Sequence, residues 1–350
     1  MRHLRIRVTA LSVAAFLFAT AVAPAANAQS LTFGLFERYL DALRLELNIP
    51  GLSAAVVQNG KIVWDHGFGS RDVAASLAAA ADTPYPVANL SETFGAALVL
   101  QQCIDRGDEI ALNDRVVRWT TFPEPTTTIA QVLAHVNASN VYQYDTTRFG
   151  SMSGVVVECV DQPYPRIMAT EVLDRLAMTD SVPGRDVVEA PGSQVFPAVT
   201  LDRYRGVLTR MAAPYRVDSK GAAIRSDYTQ RSLTGSNGLI STVRDLAKFD
   251  TALADGILLS PESRAAMWAP GSSRPTGLGW FVQSYNGERL IWHFGLAKDA
   301  YSSLIVKVPG RQLTLILLAN SDGLATSFTP TAGDVTQSIF ARLFLTLFIS

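Results

Sequence analysis

The chain has 350 residues, of which 48% are apolar and 17% charged, and a formal net charge of −1. That balance suits one large globular domain or two interlocked ones. It offers no electrostatic case for binding nucleic acid.

Arg2, Arg5 and Arg7 precede an uncharged, largely apolar run, Val8–Ala23, which is followed by Ala26-Asn27-Ala28. This is the pattern of a secretory signal with a small-residue cleavage site. Residues 1–28 are therefore expected to be removed near Ala28, leaving a mature chain that begins at Gln29 in a bacterial periplasm or outside the cell. The apolar run falls short of the ~20 residues a spanning helix needs, so no transmembrane anchor is expected after cleavage. Export permits a disulfide between Cys103 and Cys159, the only cysteines. Each sits in an apolar helical pattern, so a bridge and two buried thiols both stay open. With four scattered histidines, the cysteines make no metal-binding spacing, and neither a metal nor a cofactor is expected.

Phe36, Leu40, Leu43 and Leu47 share one face of a helix that Asn48-Ile49-Pro50-Gly51 ends. Leu52–Val57 and Lys61–Trp64 read as strands joined across Asn59-Gly60, a strong hairpin signal. From about Asn89 to Asp250 the chain is mainly helical with polar loops, including Tyr164–Leu176 and a helix over Val243–Leu253 opened by a Thr242/Asp245 capping box. Ser260-Pro261-Glu262 starts another helix. Strands return at Trp280–Gln283, Arg289–His293, Ser302–Val308 and Gln312–Asn320, and Val335–Ile349 reads as a terminal helix.

Sheet-forming segments at both ends with helices between predict an α/β (α+β) fold. Its antiparallel sheet is flanked by helices and built from residues 29–82 and 255–350, with a mainly helical domain over 83–254 inserted. A cleft between two such layers is a usual place for a ligand.

The chain is organised around Tyr85–Leu100. Pro84 and Pro86 favour an extended entry, and Phe94, Leu98, Cys103 and Ile104 recur at helical spacing. Asn89 with Glu92 three residues on has the form of a capping box, so a helix start near Asn89 is expected.

This stretch resembles the segment that carries the catalytic Ser-x-x-Lys in class C β-lactamases, D-alanyl-D-alanine carboxypeptidases and related serine esterases. Other phrases share the resemblance in order: Asn59-Gly60-Lys61 with Gly67-Phe68-Gly69, Leu176-Ala177-Met178-Thr179-Asp180, Asn237–Leu246, Gly277-Leu278-Gly279-Trp280, and Trp292-His293-Phe294-Gly295 followed by Ser302-Ser303. The resemblance implies a serine β-lactamase/penicillin-binding-protein fold and a site of three clusters: the serine and lysine, a Tyr-x-Asn loop, and a strand bearing Lys-Thr-Gly or His-x-Gly.

On that correspondence Asn89 stands at the serine, Glu92 at the lysine and Thr146 at the asparagine of Tyr144-Asp145-Thr146, while Tyr144 and His293 are retained. Phe294 and Gly295 would line the cleft. None of the lysines, Lys61, Lys220, Lys248, Lys298 and Lys307, has a serine three positions before it. Leu296–Ala300 replaces a glycine-rich turn, and the phrase expected after a histidine like His135 reads Val136-Asn137-Ala138. An amide cannot replace a serine alkoxide as nucleophile. Ser91, about 200° round the helix from Asn89, should point away from the cleft, and Gly150-Ser151-Met152-Ser153-Gly154 puts methionine at the centre of a nucleophile-elbow spacing.

The expectation is an exported, catalytically silent binding protein of the serine-hydrolase fold, whose ligand is an unidentified small molecule or a cell-wall-related one. The alternative is an active hydrolase (an esterase, D-Ala-D-Ala peptidase or β-lactamase-like enzyme) with chemistry rebuilt on Tyr144, His293 or Glu92. Glu92 is expected to be ionised, favoured by the helix N-terminus and by His293 or Arg148.

Overall fold

The computed structural model describes residues 23–107, 109–271 and 275–349, with residues 23–30 described by backbone alone. Residues 1–22 of the expected signal segment lie outside the described residues. From Ala23 the backbone is helical and runs to Glu46. No described helix is long and apolar enough to cross a membrane.

A seven-stranded antiparallel sheet is the frame. Its spatial order is Leu77–Ala78, Lys61–Asp72, Gly51–Gln58, Leu313–Ala319, Tyr301–Val308, Glu288–Ala297 and Phe281–Tyr285. Both chain ends therefore build one sheet, joined where Gly51–Gln58 pairs with Leu313–Ala319. At the Asn59-Gly60 hairpin both residues have positive φ, 52° and 71°, the geometry that brings two strands back with matched twist.

The central strands are apolar on both faces because both faces are covered. Ala54, Val56, Leu304, Val306, Leu315 and Leu317 pack with Phe36 and Leu40 of the first helix and with Phe340 and Phe344 of the last, Ile339–Phe348. Their alternates, Ala55, Val57, Ile305, Ile316 and Leu318, face the helical half of the chain, where Phe94 stacks on Phe249 at 3.7 Å between ring centres. Burial on this second face fixes how the helix after Asn89 lies against the sheet.

Helix starts follow their sequence signals only in part. Ser260 caps the helix Pro261–Met267 as expected, its hydroxyl accepting from the Ser263 amide. Thr242 accepts from the Asp245 amide, but the return half of that capping box is absent. The Asp245 carboxylate instead accepts from the Asp180 amide and the Ser181 hydroxyl and pairs with Lys248. Cys103 and Cys159 form a disulfide, which ties the helical stretch Val99–Asp105 to the helix Met152–Val160 and removes the alternative of two thiols.

Candidate functional site

The helix expected to begin at Asn89 begins instead at Ser91 and runs to Leu98, behind a single 3-10 turn over Ala88–Leu90. Neither Asn89 nor Glu92 contributes a side-chain cap, so the capping box is not formed. The reason lies just upstream. Val87 is clamped, its amide donating to the Leu239 carbonyl and its own carbonyl accepting from the Ser303 hydroxyl at 2.8 Å. The chain then turns through Ala88 at φ +50°, a left-handed conformation that costs a non-glycine residue about 1–2 kcal/mol. Tertiary contacts outweigh that local cost and set where the helix starts. Ser91 is buried, and its hydroxyl donates to the Ala88 carbonyl and accepts from the Leu239 amide.

Glu92 is the centre of the site. Its Oε2 receives the Tyr144 hydroxyl at 3.1 Å and lies 3.0 Å from His135 Nε2 and 3.2 Å from His293 Nε2. Burial works to raise the carboxyl's pKa, but His135 and then His293 outweigh it and hold the group below the ordinary carboxylate range. Arg148, expected as a neighbour of Glu92, is engaged elsewhere: it pairs with Glu124 and donates to the Val136 carbonyl.

The two imidazoles are oriented differently. His135 Nδ1 accepts from the Asp145 amide at 3.3 Å, which in the neutral ring puts the proton on Nε2, facing Glu92. His293 Nδ1 lies 2.7 Å from the Phe294 carbonyl oxygen and 2.9 Å from the Phe294 amide nitrogen. Nδ1 can donate to that carbonyl or accept from that amide, and Nε2 faces Glu92 Oε2. Among the described residues, His293 Nε2 and Glu92 Oε1 are both buried without an aligned hydrogen-bond partner.

Tyr144 packs over His135 at 4.3 Å between ring centres and lies 5.4 Å from the ring of Phe294. Burial and the Glu92 charge push its phenol well above its ordinary pKa, so it stays protonated and donates a hydrogen bond to the carboxylate. Asp145 caps the short helix Thr146–Gly150 by accepting from the Thr147 and Arg148 amides, and Thr146 is its first residue. Gly295 lies directly beneath Val87 and Ser303. In the Gly150–Gly154 segment, Met152 is buried, and Ser151 and Ser153 donate to carbonyls one turn back.

Glu92, Tyr144 and His293 thus come together from three separate parts of the chain. Sequence reasoning missed the fourth member, His135, whose signal was its place at the head of a phrase that departs from the family pattern. Reading spacing along the chain also missed that Glu92, His135 and His293 gather their ligand-type atoms within 4.8 Å of one another.

The Beta-lactamase family model matches residues 35–336, and the chain belongs to that family. It is 23% identical over 267 residues to the "Putative penicillin-binding protein PbpX" of Bacillus subtilis strain 168, covering 68% of this chain and 63% of that protein. Its fold is similar to the octameric penicillin-binding protein homologue of Pyrococcus abyssi, at a TM-score of 0.70 and 18% identity, covering 90% of this chain and 77% of the other. It is similar also to the D-amino acid amidase of Ochrobactrum anthropi SV3, solved with L-phenylalanine amide, at a TM-score of 0.66 and 17% identity, covering 83% and 92%. These two likenesses establish the fold.

Proposed function

We propose that this chain is an exported, catalytically silent member of its family, which binds a small, cell-wall-related molecule in the cleft of the serine-hydrolase fold. The observation that carries this reading is the residue at the head of the site: Asn89 offers no ionisable hydroxyl or thiol to attack a carbonyl. The lysine's position is filled by a buried carboxylate whose Oε2 already holds two donors. That negative charge disfavours carboxylate ligands and favours neutral or cationic ones.

The convergence of Glu92, Tyr144 and His293 supports a second reading, a hydrolase that activates water by acid–base chemistry without a covalent intermediate. Intact-mass spectrometry after incubation with penicillins and fluorophosphonates, paired with p-nitrophenyl ester turnover, tests both. The first reading expects neither adduct nor turnover. A stoichiometric adduct on any side chain overturns both readings. Turnover without an adduct that is lost in Glu92→Gln selects the second.

A further inference from the structure

We propose that Glu92, His135 and His293 form a binding site for a single zinc-type divalent cation, ligated by one carboxylate oxygen and the two imidazole Nε2 atoms.

The geometry is close to what such an ion needs. Zinc bonds nitrogen and carboxylate oxygen at about 2.0–2.1 Å, which places tetrahedral ligand atoms about 3.3 Å apart. Glu92 Oε2 stands 3.0 Å from His135 Nε2 and 3.2 Å from His293 Nε2, so two edges of the ligand triangle are nearly at that length before any ion enters. All three atoms lie within 4.8 Å of one another. They are held by packed elements: the helix Ser91–Leu98, the turn after the helix Ile129–Leu133, and the strand Glu288–Ala297.

A second observation points to an occupant. Glu92 and His293 are 0% exposed and His135 is 2% exposed, yet among the described residues Glu92 Oε1 and His293 Nε2 have no aligned hydrogen-bond partner, His293 Nε2 only standing 3.2 Å from Glu92 Oε2. A buried polar atom left unpaired is costly, and such atoms usually mark a missing partner. A cation between the carboxylate and the two rings satisfies His293 Nε2 and neutralises Glu92 in one step. The outer contacts also fit: the Phe294 carbonyl lies 2.7 Å from His293 Nδ1, placed to accept from it in the tautomer that ligates through Nε2, and the Tyr144 hydroxyl orients the carboxylate. Two nitrogens among three ligands favour zinc over magnesium or calcium, which take oxygen ligands.

His135 is the ligand that must adjust. Its Nε2 proton faces Glu92 while Nδ1 accepts from the Asp145 amide across 3.3 Å. Ligation requires that proton to move from Nε2 to Nδ1, with loss of the long amide contact. Protons compete with the ion for the carboxylate and the imidazole nitrogens, so zinc uptake weakens as pH falls.

The test is zinc binding by the purified chain after chelator treatment, measured by calorimetry and by competition with a chromophoric chelator. One equivalent is expected. Affinity should fall by more than about a hundredfold in Glu92→Gln and in His293→Ala, and by about 10–100-fold in Tyr144→Phe, which removes only an outer contact. Glu109→Gln, remote from the cluster in sequence and on the surface, should bind as the parent does. Circular dichroism identifies variants that fail to fold, and Tyr144→Phe still decides the matter if the ligand variants do. Binding that is absent in the parent, or unchanged in folded Glu92→Gln and His293→Ala, overturns the proposal. Because the readout is the metal itself, it stands or falls separately from the adduct and turnover assays.

Discussion

A Cβ placed on Gly295 would stand 2.0 Å from the carbonyl oxygen of Val87. The same atom would meet the Ser303 hydroxyl oxygen at 2.3 Å, and that hydroxyl donates to the same carbonyl. The strand Glu288–Ala297 and the entry to Asn89 are thus in backbone contact, and the glycine exists here for space.

Gly295→Ala should therefore destabilise the protein by about 1–3 kcal/mol, the usual cost of overpacking. Gly206 is the counterpart. It lies within the helix Ala198–Thr209 with nothing within 4 Å of its would-be Cβ. Gly206→Ala should stabilise by roughly 0.5–1 kcal/mol. Urea melts of the two variants, read as opposite shifts in midpoint, check the pair.

The disulfide closes a loop across 56 positions. Replacing Cys103 and Cys159 together by alanine should cost about 2–4 kcal/mol, chiefly by freeing the unfolded chain. Melts of the double variant and of parent protein with and without reductant should show the parent falling to the variant's level on reduction. An insensitive parent would mean that the bridge contributes nothing.

Acid stability should depend in part on Asp334. Burial would raise its carboxyl, but hydrogen bonds from the Thr336 hydroxyl, Gln283, the Thr336 amide and Gln337 outweigh that and hold it below the ordinary value. A carboxylate whose pKa is depressed by folding stabilises the native state above its unfolded pKa. That contribution is lost as pH falls through the folded value. Asp334→Asn should thus be less stable than the parent at neutral pH, and the gap should shrink as pH drops below the ordinary aspartate range. Denaturant midpoints across an acid series measure it; a gap independent of pH would argue against the linkage.

The sheet was legible because its signals are local. An Asn-Gly turn, apolar runs at both chain ends and the Pro309-Gly310 break each state their meaning within a few residues. The Asn89/Glu92 capping box was equally local and was misread, because the clamped Val87 and left-handed Ala88 set the helix start at Ser91. Arg148 misled for a similar reason: proximity in sequence to Tyr144 gave no sign that Glu124 would hold it.

By itself the sequence determined the family and the antiparallel sheet built from both chain ends. Those properties reside in residue identity and short-range pattern. Only the tertiary structure decided that the cysteines pair, that Glu92 forgoes capping, and that His135 joins His293 around its carboxylate. These are contacts between residues 43, 56 and about 200 positions apart. No pattern along the chain encodes such distances; they follow from burying both faces of one sheet, which forces the segments together and leaves their polar groups to find partners there.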